Sequence, residues 1–505
     1  MTGAVVVSLA ADGYRVRQVV PGTAVRQLAG DRFEADLSSA EALEQLHRLV
    51  AGPDATPIGA VINFLGLSRP FCRPGPEDAE GPVTVAAWTF QLAKGFAQDL
   101  RAGAGGWFVN LTALDGRFGL GGGAVSGSAV GGTLGVVKTL RREYPSLTVK
   151  AIDVAPDLAP DLLAARVLQE LTAGDDLLEV GLTRQARWRL ALKPEPVPHD
   201  LPPLALDAGS VVLVTGGASG VTSEVAKALA AARPRLILVG RSALPGPESP
   251  ATRDLDKAAL RQTFLEDARR TGATVLPAEI ERRVNRVLKD RQILATLDAC
   301  RAAGAAVEYH PADVSDAEQF GRLIDDLYDR FGRIDGVVHG AGVIEDRRIP
   351  DKTLESFTRV FRTKVDGALT LARKLRPEGL KFLVFFGSVA GRFGNAGQID
   401  YSAANEALNK LADALSGRWP ARVVCINWGP WDAGMVGDEL RRVYAARGIE
   451  LIPVAEGARA FLDELRAPGG PAEVVISGGV ERMEQRSPRD PDRLARTSRE
   501  GATAW

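Results

Sequence analysis

Cysteine is scarce in this 505-residue chain, which holds only Cys72, Cys300 and Cys425. None forms a CxxC pair, which argues against a disulfide framework and a cysteine zinc site, and a reducing, cytoplasmic setting is expected. The four histidines (His47, His199, His310 and His339) are scattered, which argues against a histidine metal cluster. Charge of one sign is also missing. Sixty-two basic residues against 63 acidic ones leave a net charge of -1, giving no electrostatic case for nucleic acid or an anionic membrane. No apolar run approaches the roughly 20 residues of a membrane span. The first residues lack the basic region and apolar core of a signal peptide. What remains, 45% hydrophobic and 25% charged, is the composition of a soluble globular protein, and the length suits two domains.

The chain reads as two α/β halves. In the first, to about Pro203, strands are expected at Ala4–Leu9, Ile58–Phe64, Trp107–Leu111 and Leu147–Ile152, with helices at Val83–Leu100 and Val130–Arg142. This is the rhythm of an open parallel sheet, yet its first strand runs into Ala-Ala-Asp-Gly-Tyr14 with no glycine loop. A glycine-rich run at Gly119–Gly132 follows a later strand with the wrong spacing for a pyrophosphate cradle. It reads as a structural turn, with a ligand loop as the alternative. The proline-dense segment Lys193–Pro203 marks an extended connector. The second half starts at Ser210–Thr215. Further strands are expected at Arg235–Val239, Ala306–Tyr309, Gly336–His339, Phe382–Phe386 and Arg422–Ile426, and seven parallel strands would be the natural outcome. Between Ser242 and Ala305 lies an excursion with two amphipathic helices, near Asp256–Thr271 and Pro277–Ala303. Its apolar stripe either packs on the domain or docks a partner. The charged segment from Glu481 reads as a flexible tail.

Thr215-Gly-Gly-Ala-Ser-Gly-Val-Thr222 follows a strand and opens a helix. Glycine lets backbone approach phosphate, and a helix N-terminus adds free N–H donors. Thr215, Gly216, Gly217, Ser219, Gly220 and Val221 are therefore candidate dinucleotide contacts. The next strand ends in Gly240-Arg-Ser242, where an NAD site usually carries a carboxylate for the ribose 2′-hydroxyl. Arg241 suits a 2′-phosphate instead, so NADPH is expected. A solvated loop arginine is the alternative reading. Asp313 and Val314 close another strand, where a carboxylate can meet the adenine amine. Gly340, Ala341 and Gly342 leave room for ribose and nicotinamide.

Tyr401-Ser-Ala-Ala-Asn405 follows Ser388 by thirteen positions and lies downstream of Lys364. Ketone reduction needs a hydride at carbon and a proton at oxygen. Tyr401 is the candidate acid, and a nearby ammonium, Lys364, would lower its pKa. Ser388 would hydrogen-bond the substrate oxygen. Asn405, one helical turn on, would hold a water or orient the lysine. Singly each residue means little; as an ordered set after a glycine loop they are specific.

On these motifs, with His339-Gly-Ala-Gly342 and Asn427-Trp-Gly-Pro-Trp431, the second half resembles a short-chain dehydrogenase/reductase. Within that superfamily it is similar to the ketoreductase domains of polyketide and fatty acid synthases. The lysine and asparagine of the usual reductase pattern have exchanged places here. Thr133–Pro145 and the long excursion look closest to polyunsaturated fatty acid synthase ketoreductases. The resemblance implies two Rossmann-like units. Residues 1–203 would be a truncated structural subdomain ending in a strand at Leu178–Leu192. Residues 204–480 would be a doubly wound catalytic subdomain with a helical insertion at 243–305. It implies that Tyr401, Lys364, Gly429 and Pro430 also hold cofactor, and that Trp431 and Met435 border the acyl chain. Val343-Ile-Glu-Asp346 is similar to the signature of enzymes giving D (3R) alcohols, with Phe393 where the opposite class carries tryptophan; Asp346 as a plain loop acid is the alternative. Ser219 and Thr222 replace glycines common in the loop, and Thr222 is expected to loosen helix–sheet packing. Gly387 replaces a frequent serine.

The expected activity is reduction of a 3-ketoacyl thioester carried on the phosphopantetheine arm of an acyl carrier protein, among other synthase domains. A non-catalytic ketoreductase-like module and a freestanding reductase of a small ketone are the rival readings.

Overall fold

The computed structural model describes residues 2–52, 57–67, 80–102, 105–121, 130–195, 201–272, 275–433, 438–446, 449–467 and 469–478. Met435, the tail from Glu481, residues 196–200 of the connector and residues 122–129 of the glycine-rich run lie outside them.

The first strand expected at Ala4–Leu9 is instead part of a helix, Thr2–Ala11. A short apolar run has no preferred period of its own, and here the i,i+4 pair Val5 and Leu9 decides. Both are buried against Leu163 and Val167 of the Pro160–Thr172 helix, while Val7 is exposed. A small sheet that the sequence did not announce follows: β1 (Gln18–Pro21), β2 (Arg26–Ala29) and β3 (Arg32–Ala35), in the order β1-β3-β2.

The first half is built on β4 (Ala60–Gly66), β5 (Trp107–Thr112), β6 (Thr148–Val154), β7 (Glu179–Leu182) and β8 (Arg187–Arg189). The order is β4-β5-β6-β7-β8, parallel except for the last pair. The single closing strand expected at Leu178–Leu192 is thus an antiparallel hairpin. Thr183 turns the chain, its hydroxyl accepting from Ala186 N at 3.1 Å.

The second half carries seven parallel strands: β9 (Val211–Thr215), β10 (Arg235–Gly240), β11 (Ala306–Pro311), β12 (Gly336–His339), β13 (Phe382–Ser388), β14 (Arg422–Trp428) and β15 (Glu473–Ile476). Their order is β11-β10-β9-β12-β13-β14-β15. Every residue of β9 is buried, as a central strand covered on both faces must be. Between β9 and β12 the connections leave in opposite directions, which opens a crevice at the carboxyl edge. The fold is α/β, with two Rossmann-like sheets, the second wholly parallel and the first parallel but for its last strand.

The excursion forms helices at Lys257–Thr271 and Pro277–Ala302. Asp256 caps the first, accepting from Ala259 N at 2.8 Å, and Pro277 stands in the first turn of the second. Ile280 and Val284 pack on Leu260 and Phe264, and Ile293, Leu297 and Cys300 enter the core above β9 and β10.

Candidate active site

A cleft of about 1550 Å³ runs along the carboxyl edge of the seven-stranded sheet. Gly216, leaving β9, takes φ +71°, and a Cβ there would stand 2.9 Å from the Gly340 carbonyl carbon. Gly220 takes φ +65° and faces open space where a side chain would be. Ser219 is the N-cap of the Gly220–Ala230 helix, yet its side chain accepts none of the first-turn N–H groups. These donors and this open backbone fit a dinucleotide pyrophosphate. Thr222 does not loosen the packing. It is buried, and a Cβ on Gly340 would collide with it, so its side chain fills the space beside that glycine.

Of the expected cofactor residues, Gly216, Ser219, Gly220, Val221, Arg241, Val314, Gly340, Ala341, Gly342, Lys364, Tyr401, Gly429 and Pro430 line the cleft. Thr215 lies beneath it, fully buried. Gly217 backs onto Val214. The Ser242 carbonyl accepts from Tyr309 Oη at 2.7 Å. Asp313 Oδ1 accepts from Ser315 N and Oγ at 2.9 and 2.7 Å, which turns that oxygen into its own loop. Gly217, Ser242 and Asp313 are not part of the cleft wall.

The four catalytic candidates converge. Lys364, in the Leu354–Lys374 helix, is buried and donates from Nζ to the Phe386 carbonyl at 2.7 Å; the same Nζ stands 5.5 Å from the Tyr401 ring centroid. Burial pushes its ammonium down to about 8. Ser388 ends β13 and caps the Val389–Phe393 helix, Oγ accepting from Ala390 N at 3.2 Å. That helix lies so close to the Ile399–Ser416 helix that a Cβ on Gly391 would stand 2.8 Å from Asn405 Cβ. Asn405 Nδ2 donates to the Tyr401 carbonyl at 2.7 Å, and its buried Oδ1 has no partner among the described residues. Burial pushes the Tyr401 phenol up; the polar side chains of Asn405 and Ser388 pull it back, and the Asp346 charge raises it further. The phenol is therefore held protonated at neutral pH, the form a proton donor needs, and the lowering expected from Lys364 is not among these influences.

Gly387 has a local cause. A Cβ there would meet Asn427 Oδ1 at 2.7 Å and Cys425 Sγ at 2.8 Å. Phe393 and Trp431 line the cleft. Trp431 is nearly buried, its ring 5.0 Å from that of Trp428. Asp346 is exposed and accepts from Gln398 Nε2 at 3.0 and 3.1 Å.

Two supporting groups were not singled out from the sequence. His339 Nε2 donates to the Lys364 carbonyl at 2.8 Å, so Nδ1 accepts from Thr215 Oγ1, also at 2.8 Å. Burial pushes this imidazole down to about 4 and keeps it neutral. Asp400 Oδ1 accepts from Tyr401 N at 2.8 Å, and its Oδ2 pairs with buried Lys352 at 2.6 Å. Lys352 also donates to the Glu345 carbonyl, which fixes the loop before Asp346 to the turn before Tyr401. The only sequence signal was adjacency to the motifs. Nothing in the spacing pairs Lys352 with Asp400.

Residues 210–433 match the family described as KR domain. One polyunsaturated fatty acid synthase subunit of Thraustochytrium sp. is 29% identical over 94% of this chain and 17% of its own length. The polyketide synthase PksN of Bacillus subtilis is 27% identical over 70% of this chain and 6% of its own. The chain thus spans under a fifth of these multidomain relatives. A crystal structure of an N-terminal ketoreductase from the macrolactin assembly line covers 95% of this chain, which covers 86% of that one, with TM-score 0.70 and 22% identity. The likeness shows the shared fold.

Proposed function

Because residues 210–433 carry a KR domain of the short-chain dehydrogenase/reductase type, we propose that the chain is an NADPH-dependent reductase of 3-ketoacyl thioesters borne by an acyl carrier protein. The observation that carries this reading is the convergence of Tyr401, Ser388 and Lys364 on a cleft whose other end is a glycine loop at a helix N-terminus, with Asn405 buried behind Tyr401. A nicotinamide held in the cleft would supply hydride to the carbonyl carbon. Ser388 Oγ donates a hydrogen bond to the carbonyl oxygen, and the Tyr401 phenol gives it a proton. The Lys364 ammonium then stabilises the phenolate, and Asn405 Oδ1 offers an acceptor for the water that reloads it. Asp313 and Ser242 are assigned supporting places at the adenosine end. Residues 1–203 are assigned a structural role and residues 204–480 the catalytic one. The free thiols of Cys300 and Cys425 agree with a cytoplasmic setting.

NADPH preference is supported by Arg241 on the cleft wall. Asp346 and Phe393 support the D (3R) alcohol as product. Carrier-protein delivery and neighbouring synthase domains are supported by the multidomain relatives. The test follows NADPH oxidation with 3-ketoacyl thioesters on pantetheine and on carrier protein, with chiral separation of the product. Turnover giving the D alcohol is expected, and Tyr401→Phe should lower kcat by about 10²–10⁴-fold with NADPH binding retained. Unchanged turnover in that variant would reject the mechanism, and an L product would reject the stereochemical assignment.

A further inference from the structure

The Pro277–Ala302 helix presents three faces. One packs on the partner helix of the insertion and another enters the core beside β10. The third holds Asn285, Leu288, Lys289 and Gln292, spaced i, i+3, i+4 and i+7, and lines the cleft together with Arg241. This face is held in place. Arg291 forks onto Glu248 at 3.0 and 2.8 Å and donates to the carbonyls of Leu255 and Thr252 at 2.6 and 2.7 Å, tying the entering loop to the helix. Ile293 and Leu297 bury its next turns.

Two cations, Arg241 and Lys289, therefore line the same cleft. Among the described residues neither the Arg241 nor the Lys289 side chain makes a hydrogen bond or ion pair. Lys289 is exposed on the cleft wall, and partial desolvation followed by the like charge of Arg241 holds its ammonium below its ordinary value, while neighbouring Asp290 pulls the other way. Like charges held together without a counterion are relieved by an anion. The strand position of Arg241 puts that anion at the ribose 2′ carbon.

We propose that the insertion 243–305 forms the outer wall of the adenosine end of the cleft, and that Lys289 joins Arg241 in binding the 2′-phosphate of NADPH. This rests on the NADPH reading above. The insertion then determines cofactor specificity and retention, and Lys289 is a specificity residue supplied from outside the strand-and-loop framework of the cofactor site. A dianionic phosphate monoester is the group recognised, so NADH, which lacks it, should be indifferent to Lys289.

The test titrates NADPH and NADH into the full chain, comparing wild type with Lys289→Met, Lys289→Arg, Arg241→Met and, as a control on the same helix away from the cleft, Arg282→Met. Lys289→Met is expected to weaken NADPH about 5–20-fold, the range of a charge-assisted hydrogen bond discounted for solvent, and to leave NADH within about twofold. Lys289→Arg should restore most of the loss, and Arg282→Met should cause none. An NADPH affinity unchanged by Lys289→Met but lost in Arg241→Met overturns the assignment of Lys289 and leaves the NADPH reading standing. Equal weakening of NADPH and NADH also overturns it, because the contact would then lie on the shared part of the molecule. Wild type binding NADH as tightly as NADPH would reject the cofactor reading, and the proposal with it.

Discussion

At the residue scale the proposed site stores cost in Lys364. Its ammonium has left water for a position between the Phe386 carbonyl and the Tyr401 ring, and burial lowers its pKa to about 8 from an ordinary 10.5. The lowered value means that the folded state disfavours the charge. Below pH 8 the lysine is charged both folded and unfolded, and the full penalty is present. Between pH 8 and 10.5 the folded lysine is neutral while the unfolded one is still charged, so stability from this group rises with pH. Replacing Lys364 by methionine, of similar length, should therefore raise thermal stability at pH 7 by an amount worth roughly 1–3 kcal/mol while removing turnover. Melting curves from pH 7 to 10.5 check this: the gain over wild type should shrink through that window. A variant less stable than wild type at pH 7 would mean that the lost bond to Phe386 outweighs the relief.

At the element scale, the helix carrying Ser388 and the helix carrying Tyr401 are anchored from behind. Glu179 on β7 pairs with Arg392 at 2.6 Å and with Lys138 at 3.1 Å, and Lys138 reaches Glu406 at 2.9 Å. Arg392 is one turn beyond Ser388, and Glu406 follows Asn405. Burial pushes the Glu179 carboxyl up, but Arg392 and Lys138 outweigh it and hold it at about 2. Removing one charge from such a group leaves its partners buried and unpaired, so Glu179→Gln should cost about 3–5 kcal/mol and lower kcat with little change in NADPH binding. Because the folded carboxyl lies below its unfolded value, the wild-type advantage should be complete above pH 4.5 and decline toward pH 2, as melting temperatures in that range would show. This network also marks the limit of what the sequence discloses. The glycine loop, the tyrosine helix and six of the seven strands of the second sheet were legible, because their signals are local: a strand, a turn chemistry, a fixed spacing. The Thr2–Ala11 helix was misread because an apolar run of that length has no period of its own. The β1–β3 sheet, β15 and the ion network were illegible because each depends on partners far along the chain; Glu179 and Arg392 are 213 residues apart.

At the scale of the whole molecule, the glycines of the first half turn out to serve the second. Gly131, Gly132 and Gly135 stand on the helix Gly131–Glu143, which packs on the Tyr401 helix. A Cβ on Gly135 would lie 2.6 Å from Ala403 Cα, and one on Gly132 would lie 2.7 Å from the Phe361 ring. This end of the glycine-rich run is thus a packing surface that lets two helices approach at backbone distance. One hydrophobic core crosses the junction, joining Phe90, Val136 and Leu140 to Phe357, Phe361, Ile399 and Ala403, with Phe90 and Phe357 stacked at 4.8 Å. Lys94 crosses too, donating to the Lys352 carbonyl at 2.8 Å. A first half that carries no dinucleotide loop after its opening segment therefore forms the back wall of the Tyr401 helix. The expected consequence is that residues 204–480 do not form a stable reductase alone. Truncation would bare Phe357, Phe361 and the Ala403 face, and would strip Arg392 and Glu406 of Glu179 and Lys138. The isolated segment should aggregate or melt at least about 10 °C below the full chain, with dye binding to exposed apolar surface. Adding residues 1–203 as a separate chain should restore soluble protein and NADPH-dependent turnover together. A truncated segment that melts with the full chain and turns over substrate would show instead that the shared core is dispensable to the site.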